Sequence, residues 1–94
     1  MGPAIYLGLV IADPSVVAKL HEKHTITLEQ VREAIQWPAK ARTAEETHPE
    51  HGWRVVAIGT AACGDTVLAT LLPVPTWAGT AADTWVVLTA RWVR

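Results

Sequence analysis

From Val55 to Ala90 the chain carries only two charged residues, Asp65 and Asp83. A stretch that long and that poor in charge has to be taken out of water. Its texture, rich in Val, Leu, Ile and Thr, is that of strands and not of a helix. "WRVVAIG" from Trp53 and "TVLATLLP" from Thr66 read as two strands, separated by "TAACGD", whose Gly64-Asp65 supplies a turn. "TWVVLTA" from Thr84 reads as a third strand, after the Pro- and Gly-bearing loop "PVPTWAGTAAD". These strands require a sheet buried on much of its surface.

The first half of the sequence has the material to cover such a sheet. Ile5 to Ile11 reads as a buried first strand. "ADPS" then starts a helix, with Asp13 as N-cap and Pro14 at the first helical position. Val16 or Val17, Leu20 and His24 recur at helical spacing, which carries the helix to about Lys23. Thr27 and Gln30 make a capping box for a second helix, whose apolar stripe is Leu28, Val31 and Ile35 and whose end is Pro38. The polar section from Ala39 to Gly52 reads as loop, with part of it an edge strand. Strand, helix, helix, then a run of strands predicts an α+β domain, with an antiparallel sheet of three to four strands and the helices on one face.

Ninety-four residues leave room for one core, so residues 1–94 read as a single domain. Half the residues are hydrophobic and 18% are charged, which marks a compact chain and not a disordered one. The formal net charge of −1 argues against a bulk polyanion binder, while leaving a local basic patch open. Cys63 is the sole cysteine, so no internal disulfide can form. The apolar run near the start is too short for a bilayer and has no basic residue before it, so a cytoplasmic location is expected.

Four short motifs, in order, carry a resemblance. They are Asp13-Pro14, "KHTIT" from Lys23, "RVVAIGTAACG" from Arg54 to Gly64, and "TAR" from Thr89 to Arg91. Together they resemble the BrnT family of small toxins from type II toxin–antitoxin systems. That family runs Asp-Pro, helix, Lys-His-Gly-Ile-Ser/Thr, helix, an acidic His-bearing loop, Arg-x-x-x-x-Gly, a Gly turn and a late Ser/Thr-Ala-Arg. The resemblance implies a RelE/ParE-like fold and a bacterial ribonuclease that inhibits translation. It further implies a cognate antitoxin with a ribbon-helix-helix DNA-binding part, a homodimer or heterotetramer, and no cofactor. The chain departs from the pattern at Val16, Asp65 and Trp92, where the family carries basic residues, and at Leu20, where it often has Asn.

RNA cleavage by attack of the ribose 2′-OH needs a base, an acid and cations for the transition-state charge. On the family pattern Arg54 and Arg91 are the candidates for gripping phosphate, since a guanidinium holds two oxygens at once. The alternative for both is salt bridging to Glu29, Glu33 or Asp83. His24 is a candidate base or acid, or else a cap on the end of the first helix. Glu29 is a candidate catalytic carboxylate, or simply an acid favoured near a helix start. Lys19 and Lys23 are candidate RNA contacts on a solvated helix. Thr89, on the strand face of Arg91, is a candidate to position a phosphate through its hydroxyl, or else simply a strand residue. Trp77, mid-loop between prolines and glycine, is a candidate partner-binding anchor or a lid on the sheet end.

Two other readings stand beside this one. The basic residues missing at Val16, Asp65 and Trp92 suit a non-catalytic interaction module on the same scaffold. The two H-x-x-H pairs, His21/His24 and His48/His51, suit a zinc site only if the fold brings them together; as a toxin the chain is expected to bind no metal.

Overall fold

The computed structural model describes residues 6–50, 52–74 and 84–93. Strand β1 (Leu9–Ile11) is followed by helices α1 (Pro14–His24) and α2 (Leu28–Ile35). Four further strands complete the fold: β2 (Arg42–His48), β3 (Gly52–Thr60), β4 (Thr66–Pro73) and β5 (Thr84–Val93). The architecture is α+β. One five-stranded sheet has the order β1-β5-β4-β3-β2, antiparallel except for the parallel pair β1–β5.

This differs from an all-antiparallel sheet of three to four strands in two respects. The polar section is not mainly loop: Arg42 to His48 pairs along its whole length with β3. Its side chains are polar and mostly exposed on both sides, because it is the sheet edge, so no apolar alternation advertises it. The first strand is also shorter than the apolar run, three residues, and lies beside the last strand in sequence.

Local chemistry fixes the helices. The Asp13 carboxylate accepts from the Ser15 N–H at 2.9 Å and the Ser15 hydroxyl at 2.7 Å, and Pro14 follows as the first helical residue. At the other end of α1, Thr25 adopts a left-handed conformation (φ 54°) and its N–H donates to the His21 carbonyl at 3.1 Å. The capping box of α2 is complete: the Gln30 N–H donates to Thr27 Oγ1, and the Thr27 N–H donates to Gln30 Oε1.

Both helices lie on one face. Gly59, Val67 and Trp92 form one row across β3, β4 and β5. Above one end of it, a Cβ on Gly59 would run into the Ala34 carbonyl of α2. At the other end, Trp92 Nε1 donates to the Thr25 carbonyl below α1. Between the layers sit Val10, Leu20, Val31, Ile35, Val55 and Leu71, all essentially inaccessible. The small residues Ala57, Ala69 and Ala90 let the helices approach. Neither helix is long and apolar enough to cross a membrane.

The β1 edge is closed by side chains. The Val10 N–H donates to Gln36 Oε1 at 2.9 Å, and Arg32 Nε donates to the Val10 carbonyl at 2.8 Å. Arg32 and Gln36, one helical turn apart, thus stand in for a neighbouring strand.

Candidate functional site

Strand β1 covers the outer margin of β5 only from Thr84 to Val86. Beyond that, α1 runs beside β5. Here β5 carries one residue too many: Leu71 pairs with Val87 and Thr70 with Thr89, leaving Leu88 over. Such a bulge bends the strand and re-aims side chains. The result is a pocket of about 210 Å³ between the two elements, lined by Val16, Lys19, Leu20, Lys23, His24, Leu88 and Thr89.

Four residues singled out from the sequence meet there. Lys19, Lys23 and His24 reach it because positions 16, 19, 20, 23 and 24 share one helix face. Thr89 lines it from β5, next to the bulged Leu88. The two lysines are exposed and His24 is half-buried. Lys23 lies in the last turn of α1, whose carbonyl end favours its positive charge, with His21 and His24 beside it, while Lys19 stands one turn back. Among the described residues neither lysine has an ion pair with a carboxylate. Two ammonium groups at i, i+4 repel by roughly 0.2–0.5 kcal/mol, which a bound anion would reverse. Chemically the pocket offers two point charges, an imidazole and a hydroxyl against an apolar floor. That suits a phosphate ester better than a free apolar ligand.

Arg91 lies one step farther along β5 on the side of Thr89, roughly 7 Å on by strand geometry. It is exposed. Arg54 is elsewhere. It sits opposite Glu46 across the β2–β3 hairpin, and its Nε and Nη2 both donate to Glu46 Oε1, at 3.0 and 2.7 Å. Two strands over and four residues along from Arg91, its Cα lies roughly 16 Å away by sheet spacing. The two arginines share the helix-free face but do not converge on one phosphate. Glu29 is remote from both. It pairs with Arg32 at 3.0 Å, its side chain 78% exposed, beside an open groove that Trp37 and Glu33 also line.

Trp77 and Asp83 lie outside the described residues, as does His51. His21 and His24 belong to α1 beside β5, whereas His48 ends β2 at the opposite margin of the sheet. Among the described residues no three His, Cys, Asp or Glu side chains group around a common point.

The sequence reading missed Leu88 and Val16 as pocket walls, and Glu46 as the partner of Arg54. The last was accessible: Glu46 and Arg54 are each four residues from Glu50, so a hairpin centred there sets them opposite. Nothing in the sequence marks the bulge. The chain matches no protein-family model and no curated protein.

Proposed function

We propose that this chain is the toxin component of a type II toxin–antitoxin pair, a BrnT-like protein of RelE/ParE-like architecture that contacts RNA at the α1–β5 pocket. The observation that carries the reading is the meeting of Lys19, Lys23, His24 and Thr89 in one pocket. A second observation supports it. The family pattern has glycine where this chain has Thr25, and Thr25 is the one non-glycine residue with positive φ among those described.

In this reading Lys19 and Lys23 hold the phosphate and the Thr89 hydroxyl orients it. His24 takes the proton from the 2′-OH as that oxygen bonds to phosphorus and passes it to the 5′-oxygen as the bond from phosphorus to it breaks. Arg91, one step along the strand, stabilises the charge that builds on the phosphoryl oxygens. Arg54, tied to Glu46, and Glu29, tied to Arg32, act structurally. A cognate antitoxin would hold the activity in check.

The test is induced expression in a bacterial host, scoring growth and bulk translation. Wild type should arrest growth, while Lys19→Ala/Lys23→Ala/His24→Ala should not, with an unchanged circular dichroism spectrum. Absence of arrest from soluble, folded wild type, or full arrest by the triple variant, overturns the reading.

A non-catalytic interaction module is the second reading. It is favoured by Val16 in the pocket wall, where the family has lysine, and by Trp92, which pins β5 to the end of α1 where the family has a basic residue.

A further inference from the structure

The face of the sheet away from the helices has a definite pattern. Arg42, Ile58, Leu68 and Arg91 are successive partners across β2, β3, β4 and β5, so they stand in one row. The next row is Ala44, Val56, Thr70 and Thr89. Beyond it come Leu72 and Val86, with Arg54 and its partner Glu46 toward β2. An aliphatic floor of Val56, Ile58, Leu68 and Leu72 therefore runs along β3 and β4, flanked by arginines at both margins. None of the four floor residues is fully buried.

We propose that this face is a docking surface for an acidic amphipathic helix of a separate protein. Charge is the first reason. Among the described residues the strands present three arginines and one glutamate here, in a chain whose overall formal charge is −1. Arg42 and Arg91, across three strand spacings, stand roughly 14 Å apart. An α-helix about 10–12 Å wide with its side chains fits between them, with carboxylates on its two margins.

The same charges argue against other occupants. A second copy laid face to face would set arginines against arginines across a dry interface, which is costly. Single-stranded RNA would favour aromatic platforms for its bases, and this face has an aliphatic floor. Arg42 also borders the recess beside α2 at the Thr60 end of β3, which Lys40 and Glu33 line as well. Glu33 is already engaged there, accepting from the Ala62 N–H at 3.3 Å. The inference does not depend on RNA contact at the α1–β5 pocket.

The test uses the full chain and two synthetic helical peptides, each with leucines along one side. One carries glutamate at both margins and the other lysine. Binding is read by fluorescence anisotropy and by amide shifts in NMR. The glutamate peptide should bind, shift Val56, Ile58 and Leu68, and leave Lys19 and Lys23 unmoved. Arg42→Glu/Arg91→Glu should weaken it about fivefold or more and should bind the lysine peptide instead. That swap is a gain that a misfolded variant cannot produce. The proposal is overturned if neither peptide shifts these amides or if both bind equally. It is likewise overturned if an oligoribonucleotide or self-association moves the same amides while the glutamate peptide does not. Loss of growth arrest on emptying the α1–β5 pocket bears on RNA contact alone, so the two ideas fail separately.

Discussion

The two faces of the sheet are made by the same strands, residue by alternate residue, yet they are built to different rules. Under the helices β3 and β4 present Val55, Ala57, Val67, Ala69 and Leu71, all fully buried. The opposite face of the same two strands presents Val56, Ile58, Leu68 and Leu72, each left partly open, with arginines at its margins. The covered face is small and closely fitted because two helix backbones must approach it. The open face is bulkier and charged at the rim because nothing of α1 or α2 lies on it. A strand apolar on both faces usually means cover on both faces. The contrast thus asks what the second face meets.

The largest expected difference is between two leucines three residues apart on β4. Leu71→Ala removes a fully buried side chain and should cost about 3 kcal/mol in urea unfolding. Leu68→Ala, on the open face, should cost about 1 kcal/mol. Equal costs would break the comparison, because they would mean that the open face is buried in solution by the chain itself.

Gly59→Ala sharpens it from the covered side. The new methyl would meet the Ala34 carbonyl, so α2 must shift. A loss of about 2 kcal/mol is expected, read in the same unfolding experiment. A neutral result would show that α2 sits more loosely over β3 than the structure has it.

On the open face, the Arg54–Glu46 pair should contribute little. Its side chains are 21% and 44% exposed, so the coupling in a double-mutant cycle should be about 0.5 kcal/mol and should shrink with salt. A coupling several times larger would mean that the pair is desolvated by something lying on this face.

The comparison also explains what the sequence could and could not disclose. The helix starts were legible because a cap is a local contract: Asp13 with Ser15, and Thr27 with Gln30, need no knowledge of the rest of the chain. The three apolar strands were legible from texture alone. Strand β2 was legible only as an edge strand somewhere in the polar section, without its extent, because an edge strand exposed on both sides carries no period to read. The pairing of Val10 with Trp85 was beyond reach for another reason: parallel partners so distant in sequence share no turn to announce them. The candidate pocket divides in the same way. Lys19, Lys23 and His24 follow from helical spacing, whereas Thr89 lines the pocket from β5 next to Leu88, an unpaired extra residue that nothing in the sequence marks. Likewise, that Arg54 and Arg91 share a face, and how far apart they stand on it, depends on strand order and register, which the sequence did not reveal.

The smallest expected effect concerns the helix cover itself, through the cap of α1. The Asp13 carboxyl is held below its usual range, first by the Ser15 hydroxyl and then by the Ser15 N–H, both donating to it. Because the folded value is the lower one, the unfolded chain takes up the proton first as pH falls. The stability from this cap is therefore fully present above the ordinary carboxylate range and is lost as pH drops through the folded value. Asparagine caps about as well as aspartate and does not titrate. Asp13→Asn should match wild type in melting temperature near neutrality, and wild type should fall behind it on acidification through the carboxylate range. The other carboxylates, common to both proteins, cancel in that difference. A difference that stays flat with pH would mean that the Ser15 contacts do not distinguish the charged cap from the neutral one. The loss of helix cover at acid pH would then have to begin elsewhere than at Asp13.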